Sequence, residues 1–289
     1  MLGALLKTMR PRQWPKNVFI FAALVFDKQL LSPIPLLRTL AGFVLFCLIS
    51  SAVYIFNDLS DVEADREHPE KRNRPIASGK LPVGVAWAAG VALVIISLGL
   101  GWLLSPAFGI VELTYFVLNL AYSKWLKHIL IVDVLILAAG FVLRVAAGVA
   151  LIHVERFSPW LYVVMTLLSL YLGFGKRRAE LALLTDDAGS HRKVLHGYTI
   201  PLLDQYIVIV SATTIVAYSF YTFSAPNVPA NHSMMLSIPF VVYAIFRYLY
   251  LVQVKHDGGA PEEILLSDRP FQIGLLLWAL VVLTVFYLS

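Results

Sequence analysis

The chain has 289 residues, of which 59% are hydrophobic and only 14% are charged. Soluble globular domains carry about 25% charged residues, so this composition excludes an ordinary soluble protein and indicates an integral membrane protein. The net charge of +5 does not indicate nucleic-acid binding, because the distribution of lysine and arginine between loops explains most of it.

Nine segments are long and apolar enough for a helix that crosses the hydrocarbon core, which takes about 20 residues. The predicted spans are 15–32, 37–57, 82–103, 107–124, 130–151, 159–176, 205–224, 233–253 and 271–288. The first contains Asp27 and Lys28, which we expect near its far end. The sequence therefore predicts an all-α membrane protein in which residues 1–289 form a single domain.

The lysines and arginines fall mainly on one side of these spans. With the N-terminus inside, 18 of the 23 lie on the cytoplasmic side, as the positive-inside rule requires. Nine spans then place the C-terminus outside. The N-terminus lacks a small-residue cleavage site, so we expect no cleaved signal peptide.

The longest loops, about 58–81, 177–204 and 254–270, share the cytoplasmic face. We therefore expect the functional site on that face.

The segment Asn57–Gly79 reads NDLSDVEADREHPEKRNRPIASG and directly follows an uncharged span. Asn57, Asp61 and Asp65 are spaced by four residues, and Asp58 is three before Asp61. If the helix continues through them, all four side chains project from one face. Oxygen ligands without cysteine or paired histidine suit a hard cation, above all Mg²⁺. The alternative interpretation is a solvated loop with chance spacing.

The second half of this segment supplies Lys71, Arg72 and Arg74 in a loop bounded by prolines. Arginine forks bind phosphate oxygens through two hydrogen bonds. Acids for Mg²⁺ beside bases for phosphate are the composition expected of a diphosphate site. The alternative is that these bases only anchor the loop at the cytoplasmic face.

Three further candidates lie at or inside the membrane. Arg144 falls in the middle of the span 130–151, where an ionisable residue is a functional hypothesis by default. It either binds a lipid phosphate or has a structural partner. Lys16 and Asn17 stand near the start of the first span. We interpret Lys16 as phosphate-binding, with an interfacial anchor as the alternative.

Asn57, Asp58, Asp61 and Asp65 resemble the first aspartate-rich motif, NDxxDxxxD followed by RPxxSG, of the UbiA superfamily of intramembrane prenyltransferases. The nine-helix layout with an inner N-terminus is also similar. The resemblance implies a bundle around a cavity that opens to the cytoplasm and to the lipid. It further implies that these four residues bind Mg²⁺ and a diphosphate. Tyr122 and Lys127, within YSKWLKH, match residues that lie beside the diphosphate in the superfamily.

The chain departs from the superfamily where a second motif, DxxxD, is expected, because this place reads GFGKRRAEL. With RPRQWPKN, YSKWLKH, FVLRVAAGVA and PEEILLSDR, it resembles the phosphoribosyltransferase branch of the superfamily, bacterial cell-wall enzymes that act on decaprenyl phosphate. The resemblance implies Mg²⁺-dependent transfer of 5-phosphoribose from phosphoribosyl diphosphate (PRPP) to a polyprenyl phosphate. It also implies a site in the bacterial cytoplasmic membrane that faces the cytoplasm, and a role in arabinan precursor synthesis.

This resemblance assigns roles to the remaining candidates. Asp58, Asp61 and Asp65 would be catalytic through Mg²⁺ on the leaving diphosphate. Lys176 and Arg177 would bind the 5-phosphate or the lipid phosphate. Glu180 would contact ribose hydroxyls or pair with a neighbouring arginine. A general base is not required, because a phosphate monoester with a second pKa of about 6 is already largely dianionic at neutral pH.

Two rival functions remain open at this point. A UbiA-type prenyltransferase for an aromatic or quinone-precursor acceptor needs a second acidic site, which the sequence does not show. A transporter or lipid carrier often has internal repeats, and we find no convincing repeat. The sequence leaves the oligomeric state undetermined and is compatible with a homo-oligomer.

Overall fold

The computed structural model describes residues 1–69, 71–154, 158–184, 193–255, 264 and 267–288. All regular secondary structure in these residues is helical. The α-helices are α1 (Leu2–Met9), α2 (Phe21–Phe26), α3 (Pro33–Ser60), α4 (Val62–Glu67), α5 (Val83–Leu104), α6 (Pro106–Lys124), α7 (Val132–Leu151), α8 (Pro159–Leu184), α9 (Ile200–Ser224), α10 (Ile238–Gln253) and α11 (Arg269–Tyr287). The 3₁₀ helices are Pro11–Ile20, Lys71–Asn73, Leu126–His128, Lys193–Gly197 and Ser233–Ser237.

Six of the described helical segments are long and apolar enough to cross a membrane. They are α3, α5, α7, α9, α11 and the segment Ser233–Gln253, which combines a 3₁₀ turn with α10. All six fall within predicted spans or extend them by a few residues. The number of nine spans and the side on which each terminus lies stay predictions.

The first predicted span, 15–32, is wrong as a single α-helix. The chain instead forms a 3₁₀ helix over Pro11–Ile20 and then the short α2. Pro11 and Pro15 explain this, because proline removes a backbone N–H donor and its ring clashes with the carbonyl four residues earlier. Elsewhere proline fits the helix starts, since Pro33 and Pro106 occupy first-turn positions that need no donor.

The chain divides into two compact units. The first comprises Met1–Val25, Gln29–Lys127 and Leu143–Val154. In it α3 packs against α1, α5 and α6, around a core that includes Ile20, Phe46 and Phe108. Gly148 of α7 lies so close to the 3₁₀ segment that an added Cβ would sit 2.0 Å from the Ile20 carbonyl oxygen. Only glycine permits this approach.

The second unit comprises Phe26–Lys28, His128–Val142 and Glu155–Ser289. Within it α8 packs against α9 and α10, and α10 packs against α11. Its core contains large apolar and aromatic side chains, among them Tyr171, Phe174, Leu203, Ile207 and Tyr248. Burial of such side chains against one another sets the register of these helices, because interiors are close-packed.

Candidate functional site

The acidic motif lies where one helix ends and the next begins. The helix α3 ends at Ser60, Asp61 has φ −99° and ψ 7°, and α4 begins at Val62. The backbone N–H of Asp61 donates to the Asn57 carbonyl at 3.0 Å, and that of Asp65 donates to the Asp61 carbonyl at 2.8 Å. The helix on which the alignment of the four side chains depended is therefore interrupted at the single residue Asp61. The side chains instead separate into two groups with different partners.

Asp58 and Asp65 form the first group, and both are paired with arginine. Arg10 Nη2 lies 2.5 Å from Asp58 Oδ1. Arg74 Nη1 lies 3.1 Å from the same Asp58 oxygen and 2.7 Å from Asp65 Oδ2. Both aspartates are only 3% exposed. Burial of carboxylates is costly unless they are paired and hydrogen-bonded, and the two guanidinium groups meet that condition.

Asn57 and Asp61 form the second group, which faces the end of α6 and the turn after it. Ser123 donates a hydrogen bond to Asn57 Oδ1. Lys127 Nζ lies 3.9 Å from Asp61 Oδ1, and the Asp61 side chain is 45% exposed. This carboxylate therefore remains open to a ligand from solvent, unlike those of Asp58 and Asp65.

The motif offers a divalent cation few oxygen donors from the protein. In the described part of the chain, no group of three or more His, Cys, Asp or Glu side chains is arranged to hold a metal ion. Mg²⁺, however, is usually bound through one or two carboxylates, with water and substrate phosphates completing its shell. Asn57 and the exposed Asp61 supply oxygen ligands of this kind, so the residues fit Mg²⁺ bound together with a phosphate substrate.

The loop after α4 presents the predicted phosphate-binding bases differently. Lys71 and Arg72 lie in a 3₁₀ turn and are exposed. Arg74 is instead half-buried against the aspartates, in a turn closed by a hydrogen bond from Ser78 N to its carbonyl at 2.9 Å. Gly79 has φ +77°, a conformation that glycine adopts without strain. The RPxxSG segment thus builds a tight turn that fixes Arg74.

Arg144 is buried in the first unit and contacts two polar side chains from distant segments. Its Nε donates to Asn17 Oδ1 at 2.8 Å, and its Nη2 donates to the Tyr115 hydroxyl at 3.0 Å. Its guanidinium also lies 5.0 Å from the Tyr115 ring centroid, a cation–π arrangement. The structure therefore brings together two predicted residues, Arg144 and Asn17. Lys16 and Tyr122 are half-buried in the same unit.

The basic segment of α8 belongs to the second unit. Lys176 is half-buried, whereas Arg177 is completely buried. Arg177 Nε lies 2.6 Å from Asp133 Oδ2, and its Nη1 lies 2.5 Å from Glu180 Oε2. Tyr198 donates to Asp133 Oδ1 at 2.8 Å. Burial, and secondarily this hydrogen bond to the carboxylate, raise the pKa of Tyr198 above its ordinary value.

Sequence reasoning missed several residues that contact the predicted ones. Those in the first unit are Arg10, Tyr115 and Ser123. Those in the second unit are Asp133, which pairs with Arg177, and Tyr198, which donates to Asp133. Arg10 was visible in RPRQWPKN, but only as one positive charge of the N-terminal segment. No spacing rule connects it with Asp58, which lies 48 residues further along.

Comparison with known proteins places the chain among membrane-embedded transferases. The profile of the UbiA prenyltransferase family matches residues 17–267. A curated protein of Corynebacterium glutamicum named decaprenyl-phosphate phosphoribosyltransferase is 37% identical, covering 100% of this chain and 88% of the relative. The protein of the same name from Mycobacterium tuberculosis is 36% identical, covering 96% of this chain and 92% of the relative.

Solved structures show the same fold. A UbiA homologue from Archaeoglobus fulgidus bound to GPP and Mg²⁺ superimposes with a TM-score of 0.73 at 19% identity, covering 98% of this chain and 99% of that one. The same homologue bound to DMAPP and Mg²⁺ gives a TM-score of 0.74, with 99% of both chains covered. The chain therefore belongs to the UbiA prenyltransferase family, as a multi-pass membrane transferase of that family.

Proposed function

We propose that this protein transfers 5-phosphoribose from PRPP to the phosphate of a polyprenyl lipid and releases diphosphate. The names of its relatives favour decaprenyl phosphate as that lipid. The observation that carries the proposal is the 36–37% identity, over nearly the whole chain, to relatives named decaprenyl-phosphate phosphoribosyltransferase. The sequence GKRRAEL supports it, since a donor with a single diphosphate needs one acidic Mg²⁺ site and further cations for the other phosphates.

The reaction is a substitution at the anomeric carbon of the ribose. An oxygen of the lipid phosphate forms a bond to C1 while the bond from C1 to the diphosphate oxygen breaks, and the diphosphate leaves with the electron pair. The lipid phosphate, with a second pKa of about 6, needs no base to become a nucleophile. The protein therefore contributes mainly positioning and stabilisation of developing charge.

Asn57 and Asp61 are the residues that we propose to hold Mg²⁺ together with the diphosphate. Asp65, which the sequence also assigned to the metal, is buried and paired with Arg74, so its role in this proposal is to fix that arginine. When bound, Mg²⁺ supplies positive charge against the leaving diphosphate. The exposure of the Asp61 carboxylate supports its part in this site. Lys127, 3.9 Å from Asp61, and the exposed Lys71 bring further positive charge to the same unit.

The basic segment of the second unit has a divided role in this proposal. Lys176 contributes a cation to a substrate phosphate. Arg177 is held between Asp133 and Glu180, so its contribution is to orient Glu180, which contacts a ribose hydroxyl. Tyr122 and Lys16 contribute to phosphate binding in the first unit. Arg144 and Asn17 act as a pair, either toward the lipid phosphate or as a structural contact.

The proposal includes a location. The protein lies in the bacterial cytoplasmic membrane with nine spans and the N-terminus inside. Its site faces the cytoplasm, from which the water-soluble donor PRPP can enter. The excess of lysine and arginine in the corresponding loops supports this orientation. The product would enter the synthesis of cell-wall arabinan precursors.

A second candidate function is prenyl transfer from a prenyl diphosphate to an aromatic or quinone-precursor acceptor. The observation that favours it is the fold shared with a UbiA homologue bound to GPP and Mg²⁺. The absence of a DxxxD motif at 175–180 weighs against it.

The deciding experiment uses the purified full chain in detergent with Mg²⁺, a polyprenyl phosphate and PRPP labelled in the ribose. We expect label to move into the organic phase, and this transfer to stop when EDTA is added. The Asp61→Asn variant serves as the matched inactive control. Absence of transfer, together with consumption of a prenyl diphosphate in the presence of an aromatic acceptor, would overturn the proposal in favour of the second candidate.

A further inference from the structure

The side chain of Arg10 contacts the acidic motif. It follows α1 in the left-handed conformation, with φ 53° and ψ 62°. Its guanidinium lies 4.9 Å from the centroid of the Tyr54 ring and 2.5 Å from Asp58 Oδ1. Cation–π contact and ion pair together restrict a side chain that is still 32% exposed.

Arg74 reaches the same carboxylate oxygen from the other side of the motif. Its Nη1 contacts Asp58 Oδ1 at 3.1 Å and Asp65 Oδ2 at 2.7 Å, and its side chain is 28% exposed. The two guanidinium groups therefore lie within two hydrogen-bond lengths of each other. Like charges at such a separation repel, so this geometry depends on the two buried carboxylates between them.

Both arginines keep donors that these contacts do not use. A guanidinium carries five N–H donors, and the hydrogen bonds described for Arg10 and Arg74 each use one terminal nitrogen. Both side chains are about a third exposed, so the remaining donors have access to a ligand. Paired guanidinium groups recognise the oxygens of a phosphate group, through charge-assisted hydrogen bonds.

Asp58 itself is poorly placed to bind a cation. Its Oδ1 accepts from two guanidinium groups, and its side chain is 3% exposed. A divalent cation at this oxygen would lie next to two positive charges. Asp61, three residues later, is also an aspartate, but its side chain is 45% exposed. Its ion pair is with Lys127, whose Nζ lies 3.9 Å from Asp61 Oδ1.

We propose that Arg10 and Arg74 form a two-arginine clamp for a substrate phosphate, and that Asp58 is a positioning residue for this clamp rather than a metal ligand. The proposal rests on the proposed function only in requiring a phosphate-bearing substrate. It adds Arg10 to the substrate-binding residues and divides the acidic motif into a clamp-supporting part, Asp58, and a cation-binding part, Asp61.

Binding of two probes tests this division on the purified full chain in detergent, without turnover. The probes are inorganic diphosphate with EDTA, measured by calorimetry, and Mn²⁺ alone, measured by electron paramagnetic resonance. We expect Arg10→Ala and Asp58→Asn each to raise the diphosphate Kd about tenfold or more. Arg10→Ala removes a charge-assisted hydrogen bond to the ligand, and Asp58→Asn removes the negative charge that holds the two guanidinium groups close together. We expect Asp61→Asn to leave that Kd unchanged and to weaken Mn²⁺ binding, and Asp58→Asn to leave Mn²⁺ binding unchanged.

Equal loss of Mn²⁺ affinity in Asp58→Asn and Asp61→Asn would overturn the positioning role. An unchanged diphosphate Kd in Arg10→Ala would overturn the clamp. Asp58 is buried, so its variant is first checked for a native melting transition. If this variant does not fold, the test rests on Arg10, whose side chain is about a third exposed. Arg10→Ala removes the guanidinium, and Arg10→Lys keeps the charge but loses the planar fork.

Transfer assays on Arg10→Lys identify the phosphate that occupies the clamp. A rise of KM confined to PRPP assigns a phosphate of the donor, a rise confined to the lipid assigns the acceptor phosphate, and no rise in either KM overturns the clamp. The diphosphate and Mn²⁺ titrations do not depend on the reaction catalysed. Failure of phosphoribosyl transfer and failure of the clamp are therefore distinguishable.

Discussion

Arg177 and Asp133 form an ion pair in which both side chains are completely buried, with 2.6 Å between Arg177 Nε and Asp133 Oδ2. The pair joins α8 to the first turn of α7 in the second unit. Tyr198 donates to the other Asp133 oxygen and accepts from the backbone N–H of Ile131, both at 2.8 Å. The network satisfies both oxygens of a carboxylate that has no access to water.

We expect Arg177→Ala to destabilise the protein by about 3–5 kcal/mol, because it leaves the Asp133 carboxylate buried without its partner. Lys176→Ala, at the half-buried neighbouring position, is the matched control and should melt like the wild type while raising the KM of one substrate. Thermal unfolding in detergent and initial rates measure the two effects. Equal melting temperatures for Arg177→Ala and Lys176→Ala would contradict the structural role of Arg177. A KM of Lys176→Ala that is unchanged for both substrates would remove Lys176 from the site.

Asp61→Asn should lower turnover about 100-fold or more while the protein stays folded, because it removes a charge from the proposed cation site. The side chain is 45% exposed, so its loss leaves no buried charge uncompensated. Glu63→Gln, at an exposed acid in the first turn of α4, is the control and should keep full activity. A fully active Asp61→Asn enzyme would rule out the metal assignment.

Asp268 joins two helices of the second unit and caps one of them. It accepts from Arg247 Nη2 at 2.8 Å and from the backbone N–H of Phe271 at 2.8 Å, as the N-cap of α11. The hydrogen bond from Arg247 is the main cause that lowers the pKa of Asp268. Since the pKa is lower in the folded state, the stabilisation is present above the unfolded pKa of about 3.9 and is lost as pH falls through the folded value.

We therefore expect the melting temperature of Asp268→Asn to fall less steeply below about pH 4 than that of the wild type. Asparagine can still cap the helix, so this variant isolates the ion pair, whereas Asp268→Ala should lose about 1 kcal/mol more. Thermal unfolding across a pH series measures both. Parallel pH profiles for the wild type and Asp268→Asn would show that the ion pair does not contribute.

Glu112 shares the hydroxyl of Ser97 with a backbone carbonyl. The Ser97 hydroxyl lies 2.7 Å from the Leu45 carbonyl, which can only accept, and 2.8 Å from Glu112 Oε1. The Ser97 hydroxyl has one hydrogen for these two acceptors, so both contacts become hydrogen bonds when Glu112 is protonated and donates to Ser97. Glu112 is fully buried, and its Oε2 has no hydrogen-bond partner within the described residues.

We expect Glu112→Gln to retain stability within about 1 kcal/mol, because the amide can donate to Ser97 in place of the acid. Glu112→Ala should cost about 2–4 kcal/mol through the cavity and the lost hydrogen bond. Melting curves of the two variants give the comparison. A glutamine variant as unstable as the alanine variant would indicate that Glu112 is ionised and needs its charge.

Local sequence was sufficient for most helices and for the acidic motif. The predicted span 82–103 is shifted by one residue from α5 at both ends. The predicted span 107–124 begins one residue after α6 and ends at the same residue. Length of apolar sequence and a proline or serine at the start are local properties, so their consequences can be predicted without tertiary information. The motif from Asn57 to Asp65 likewise indicated the family that the comparisons confirm.

Only the tertiary structure decided which side chains contact one another. Arg10 meets Asp58 across 48 residues, and Arg144 meets Asn17 across 127. Spacing along a helix predicts which residues share a face, but the partner on the opposing element depends on how the helices pack. The sequence by itself determined a helical UbiA-family membrane protein with an acidic motif at a helix end. The packing decided that Asp58 and Asp65 face arginines while Asp61 remains exposed, because a carboxylate is buried only where a distant partner compensates its charge.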